Sequence, residues 1–110
     1  MTYEAIESAL AKSGFSAYYR EENRTLICSS AQWPNVPQSA NSFWIAERGN
    51  DWFIATWSSH VYRVGDSARA SELCVAVLHG CPKPAQYDFD DQIKKEFGLI
   101  EIDPDEFPDG

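Results

Sequence analysis

The sequence predicts an α+β domain: an N-terminal helix, a four- to five-stranded antiparallel β-meander, and two C-terminal helices packed on the sheet. Three observations carry this expectation. Between Phe43 and Val64, aromatic and β-branched residues fall in short runs separated by turn residues, and three of the four tryptophans lie there. Helical periodicity is confined to the stretches before and after the strand-like runs. With 110 residues, 44% of them hydrophobic and 14% aromatic, the chain has the length for one core and the composition to fill it. We read residues 1–102 as that single domain and residues 103–110 as an acidic C-terminal tail.

Thr2 to Ser13 has the pattern of an amphipathic helix, with Tyr3, Ile6 and Leu10 recurring three and four apart. Thr2 is placed to cap it, Glu4 and Glu7 suit the positive end of its dipole, and Gly14 ends it. Phe15, Ala17 and Tyr19 then alternate with Ser16, Tyr18 and Arg20. The polar turn EENR leads into TLICS, so Phe15 to Ser29 reads as a first hairpin. Residues 30–41, SAQWPNVPQSAN, carry Pro34 and Pro37, which suit neither a ladder nor a helix. A loop of this length in a small domain often carries function. Trp33 sits in it, either as a plug over one end of the core or as the mark of a binding edge. Burial is the commoner state of a tryptophan and favours the plug.

The central hairpin turns at Arg48-Gly49-Asn50-Asp51. A two-residue loop places Phe43, Ile45, Trp52 and Ile54 on one face and Trp44, Phe53 and Trp57 on the other. A three-residue loop groups Phe43, Ile45, Phe53 and Trp57 against Trp44, Trp52 and Ile54. The sequence leaves both registers open. In either, each face carries large apolar side chains, whereas a half-buried antiparallel sheet has one apolar and one polar face. Both faces must then be covered, or one is left for a partner. A short turn at Ser58 to His60 returns the chain as VYRV.

A second helix follows, capped by Asp66 or Ser67, with Leu73, Cys74, Val77 and Leu78 as its buried stripe before Gly80. CPKP is a stiff connector. DFDDQIKKEFG predicts a third helix with Asp88 as N-cap, Phe89, Ile93 and Phe97 four apart, and Gly98 at its end. LIEI is a candidate short strand, and DPDEFPDG reads as a frayed acidic end.

The net charge of -8 is concentrated. Residues 1–87 hold eight acidic and seven basic side chains, a net of -1; residues 88–110 hold nine acidic side chains against Lys94 and Lys95, a net of -7. An acidic C-terminal segment speaks against nucleic acid and against an anionic membrane surface, and its natural complement is a basic protein. The N-terminus carries Glu4 and Glu7 and has neither a basic region nor a long apolar run, so it does not read as a signal peptide. The three cysteines, an odd number, suit free thiols in a reducing compartment, and the expected location is the cytoplasm.

The chemistry-bearing residues form no recognised motif. His60 lies in a turn and His79 at a helix end, where the dipole accounts for it. His79, Cys74 and Cys81 have no fourth ligand at a known spacing, so neither a metal nor another cofactor is expected. Cys81 follows a helix C-terminus, which raises a thiol pKa and makes a poor nucleophile. Ser58, Ser59 and His60 are adjacent in sequence, which is not the spatial adjacency a nucleophile and its base require. Glu47, on a strand among aromatics, is the one carboxylate placed for partial burial, with Arg48 or Arg63 as an ion-pair partner the simpler alternative.

These residues point first to a non-enzymatic protein-binding module of immunity or antitoxin type, complementary to a basic partner, or to a homodimer formed through the aromatic sheet face. The alternative is a small-molecule binder or enzyme with a pocket between the meander and the Trp33 loop. The candidate surface comprises Trp33, Trp44, Trp52, Trp57, Tyr62 and Glu47.

Overall fold

A computed structural model describes residues 3–30, 42–56, 60–80 and 88–108. The class is α+β. Six strands form one antiparallel sheet in sequence order: β1 (Ser16–Arg20), β2 (Thr25–Ser29), β3 (Ser42–Arg48), β4 (Asp51–Ala55), β5 (Val61–Val64) and β6 (Leu99–Ile102). Among the described residues three α-helices accompany it: α1 (Tyr3–Lys12), α2 (Ala70–Gly80) and α3 (Asp91–Phe97). The last two lie in sequence between β5 and β6.

The strand count exceeds the expected four to five because β6 belongs to the sheet, and the reason is local. Gly98 adopts φ 64°, a left-handed C-cap that ends α3 and turns the chain back onto β5. There Gly65 N–H donates to Gly98 O at 2.9 Å and Asp66 N–H to Phe97 O at 3.2 Å. A Cβ on Gly65 would stand 2.6 Å from Gly98 O, so the close approach of the two backbones requires glycine at 65.

Two capping expectations need correction. Asp90, not Asp88, caps α3, accepting from Gln92 N–H at 2.8 Å. The chain enters α2 through a 3-10 turn at Ser67–Arg69, and the Asp66 side chain makes no capping bond there. Arg69 instead ties α2 to α3, reaching Glu72 and Glu96 at 3.0 Å each and lying 4.5 Å from the Phe97 ring centre.

The central hairpin has the two-residue register: Arg48 pairs with Asp51, Glu47 with Trp52 and Ile45 with Ile54. One face of the sheet therefore carries Leu26, Cys28, Phe43, Ile45, Trp52, Ile54, Tyr62 and Val64. These pack with Ile6 and Leu10 of α1 and with Leu73, Cys74 and Val77 of α2. Phe89 and Phe97 close the α3 end of the same cluster. Each large side chain buried there contributes about 1.5–3 kcal/mol relative to exposure. Among the described residues the helices thus cover one face only.

The opposite face has a different cover. Trp44 pairs with Ala55 and Ala46 with Phe53, so large stands opposite small on both rungs. The ring of Phe107 sits against both aromatic residues, 5.2 Å from Trp44 and 5.4 Å from Phe53. Ala46 and Ala55 beside it are fully buried. Residues 103–108 are thus folded back across the sheet. Asp103, Pro104 and Glu106 shape a 3-10 turn with a capping box, in which the Asp103 side chain and the Glu106 side chain each accept from the other's backbone N–H. The Trp33 loop, expected to cover one end of the core, falls outside the described residues.

Candidate functional site

The six sequence-predicted site residues do not form one surface. Trp52 is 3% exposed and Tyr62 2%, both on the helix-covered face. Tyr3 of α1 stands edge-on to Trp52 at 5.1 Å. Glu47 is exposed, which corrects its expected partial burial. Arg48 reaches Glu47's backbone carbonyl, at 2.9 Å, rather than its carboxylate. Of the four that are described, Trp44 alone sits half-buried on the opposite face. Trp33 and Trp57 lie outside the described residues.

Around Trp44 the structure assembles residues that sequence reasoning did not select. Arg48 is 7% exposed and its guanidinium is held by main-chain carbonyls: Nε donates to Pro108 O at 3.0 Å, Nη1 to Arg24 O at 3.0 Å and Glu47 O at 2.9 Å, and Nη2 to Asn23 O at 2.7 Å. Its cationic carbon lies 5.0 Å from the centre of the Phe107 ring. One side chain thus joins the β1–β2 turn, the end of β3 and the C-terminal segment. Beside it opens a pocket of about 400 Å³ lined by Arg20, Glu22, Asn23, Thr25, Ile27, Trp44, Arg48 and Phe107. Thr25 Oγ1 donates to Asn23 Oδ1 at 2.7 Å, and Arg20 stands 4.0 Å from Glu22. Guanidinium, amide, hydroxyl and flat apolar walls are binding chemistry. Tyr18 and Ile100, 42% and 47% exposed, flank this face on its two edge strands.

A second polar cluster lies at the other side of the molecule. Tyr62 Oη donates to Asp88 Oδ1, Lys94 Nζ to Asp88 Oδ2 at 2.8 Å, and Phe89 N–H to Asp88 Oδ1 at 2.8 Å. Burial, then the Asp88 carboxylate, push the Tyr62 phenol up to about 12. Asp88 has its carboxyl below the usual range: burial works against this, but Lys94, Tyr62 and the Phe89 amide together outweigh it. Asp88 raises the Lys94 ammonium above its usual value. Every member prefers the state it already occupies at neutral pH, so the cluster resists proton transfer and serves as a clasp joining β5 to α3. His60 pairs with Glu101 at 2.9 Å beside it.

Cys28 and Cys74 are buried free thiols, and burial, with Cys74 beside it, pushes the Cys28 thiol well up. Among the described residues no three His, Cys, Asp or Glu side chains converge as metal ligands, and no helix is long and apolar enough to cross a membrane.

Sequence reasoning missed Phe107, Arg48 and Arg20. A signal for the first was present: Asp103-Pro104-Asp105-Glu106 is a capping-box pattern with proline at its first turn position, hence an ordered segment rather than a frayed one. Compared with known protein families, with curated protein sequences and with solved structures, the chain matches none.

Proposed function

We propose that this chain is a non-enzymatic protein-binding module that works in the cytoplasm and docks a basic partner on the tail side of its sheet. The observation that supports this is the pinning of the C-terminal segment. Phe107 and Arg48 hold residues 103–108 against the body, so the exposed carboxylates of Asp103, Asp105 and Glu106 stand at fixed places directly after β6. Beside them Ile100 offers an exposed apolar anchor on an edge strand. Preorganised charge around an apolar anchor loses less entropy on association than a free acidic arm would. Buried free thiols at positions 28 and 74 suit a reducing location.

The test is recovery of a partner from the native host with the wild-type protein and with an Ile100→Asp, Asp105→Lys variant. A single basic protein bound by the first, lost with the second and released by salt is the expected result. A clean monomer that recovers no protein defeats the reading. Self-association through the same face is its homodimeric variant, and sedimentation showing a monomer at high concentration removes it.

The pocket beside Trp44 favours a second reading, a small-molecule binder. Its volume of about 400 Å³ falls within the range of small-ligand sites, and its walls are aromatic.

A further inference from the structure

We propose that the pocket between Arg20, Trp44 and Phe107 seats the carboxylate of a small organic acid with a flat apolar body. This rests on the second reading above, that the pocket takes a small molecule, and adds the charge and shape of the ligand.

The first ground is local charge. The chain carries a net charge of -8, yet among the described residues the charged side chains lining the pocket are two arginines, Arg20 and Arg48, against one carboxylate, Glu22. The described lining is net positive on an acidic molecule. The second ground is the state of Arg48. It is 93% buried by its 7% exposure, and among the described residues no carboxylate lies within 4.0 Å of it. Carbonyl dipoles and the Phe107 ring solvate the ion, no opposite charge among the described residues meets it, and a buried cation of this kind favours an anion within reach. Of its five N–H groups, four are taken by the carbonyls of Pro108, Arg24, Glu47 and Asn23, which leaves one on Nη2.

Arg20 supplies the second donor set. Its side chain is 42% exposed and meets Glu22 only at 4.0 Å, with Glu22 itself 69% exposed, so Glu22 can turn to solvent as an incoming anion takes its place. A planar guanidinium matches a carboxylate in bidentate geometry. A net charge of one among the described lining residues suits a monoanion better than a phosphate dianion. Trp44, Ile27 and Phe107 form the remaining wall, whose flat surfaces suit an aromatic or similarly planar body.

The probe pair is indole-3-acetate and indole-3-acetamide, which share a body and differ in charge. Titrations are followed by calorimetry and by the side-chain N–H signals of Trp44 and the two arginines. We expect both to move those signals, the acid to bind at least about tenfold more tightly than the amide, and this preference to fade at high salt. Arg20→Ala, on an exposed edge strand and with its melting temperature checked against wild type, brings the acid down to the level of the amide. If neither compound moves the Trp44 signal, the small-molecule reading itself fails. Equal binding of the two defeats the charge assignment alone. Inorganic phosphate binding more tightly than acetate at matched ionic strength overturns the choice of carboxylate. N-acetyl-Gly-Phe, with a free or an amidated terminus, separates the sources: a free-terminus peptide tighter than indole-3-acetate assigns the seat to a chain end, and a weaker one to a free acid.

Discussion

The two faces of the sheet are made by the same strands and closed by different means. One is sealed by α1 and α2 and the segment around α3, and its large side chains, Phe43, Ile45, Ile54 and Tyr62, are 0–2% exposed. Among the described residues the other is closed at its centre by one ring, Phe107, and one ion, Arg48, and keeps a pocket and two exposed apolar residues at its margins. Both carry tryptophan and phenylalanine. Aromatic content therefore did not decide which face became core. The helical cover did, and the lightly covered face is where a site can exist.

The sharpest way to break this contrast is to truncate a matched pair of residues. Phe43→Ala, in the helix-covered core, is expected to cost about 3–5 kcal/mol through lost burial and the cavity left behind. Urea denaturation measures it. On the open face Arg48→Met should cost less, about 2–3 kcal/mol, because it strands carbonyls that are partly within reach of water. A loss of equal size at the two positions would show that the tail side is as tightly built as the core.

Phe107→Ala comes next. Its ring is partly exposed but fills the seat between Trp44 and Phe53, and about 1–2 kcal/mol is expected. The substitution should also make Trp44 more accessible to acrylamide quenching while leaving buried Trp52 unchanged. Unchanged quenching would mean that the ring is not the cover.

How far these faces were legible in the sequence depends on the range of the interactions. The helices, the first hairpin and the turn at Gly49-Asn50 follow from local periodicity and turn chemistry, and the structure has all of them. The face assignment was narrowed to two registers, and the closing pair Arg48 and Asp51 selects one. The cover of the open face was not legible, because Arg48 and Pro108 meet across 60 positions and no periodicity records that. Asp88 reads as a cap for the same reason: its position before a helical run is local, while its partner Tyr62 is 26 residues away. Of the candidate residues, Trp44 lies on the lightly covered face. Trp52 and Tyr62 belong to the core because alternation, once the register is fixed, sends them inward.

The smallest expected effect sharpens the contrast from the covered side. Tyr62 is 2% exposed, and its phenol is held neutral up to about 12, against an ordinary value of 10.0. In the unfolded chain that phenol ionises near 10, so above this pH the unfolded state sheds a proton that the folded state keeps. Fewer protons bound in the unfolded state means stability that falls as pH rises. The contribution is complete below pH 10 and is lost progressively toward 12. Lys94, also raised, acts in the same direction, since its ion pair is intact below its ordinary 10.5 and fails as the pH climbs through its folded value. Asp88 acts at the other end: held below 3.8, it contributes above that value and is lost as acid protonates it. Tyr62→Phe removes the phenol and keeps the ring against Phe89 and Phe43's neighbourhood in the core. Denaturation midpoints at pH 9 and pH 11 should therefore fall less in the variant than in the wild type. An equal fall in both would mean that water already reaches the phenol, and the face beneath the helices would be less closed than its burial indicates.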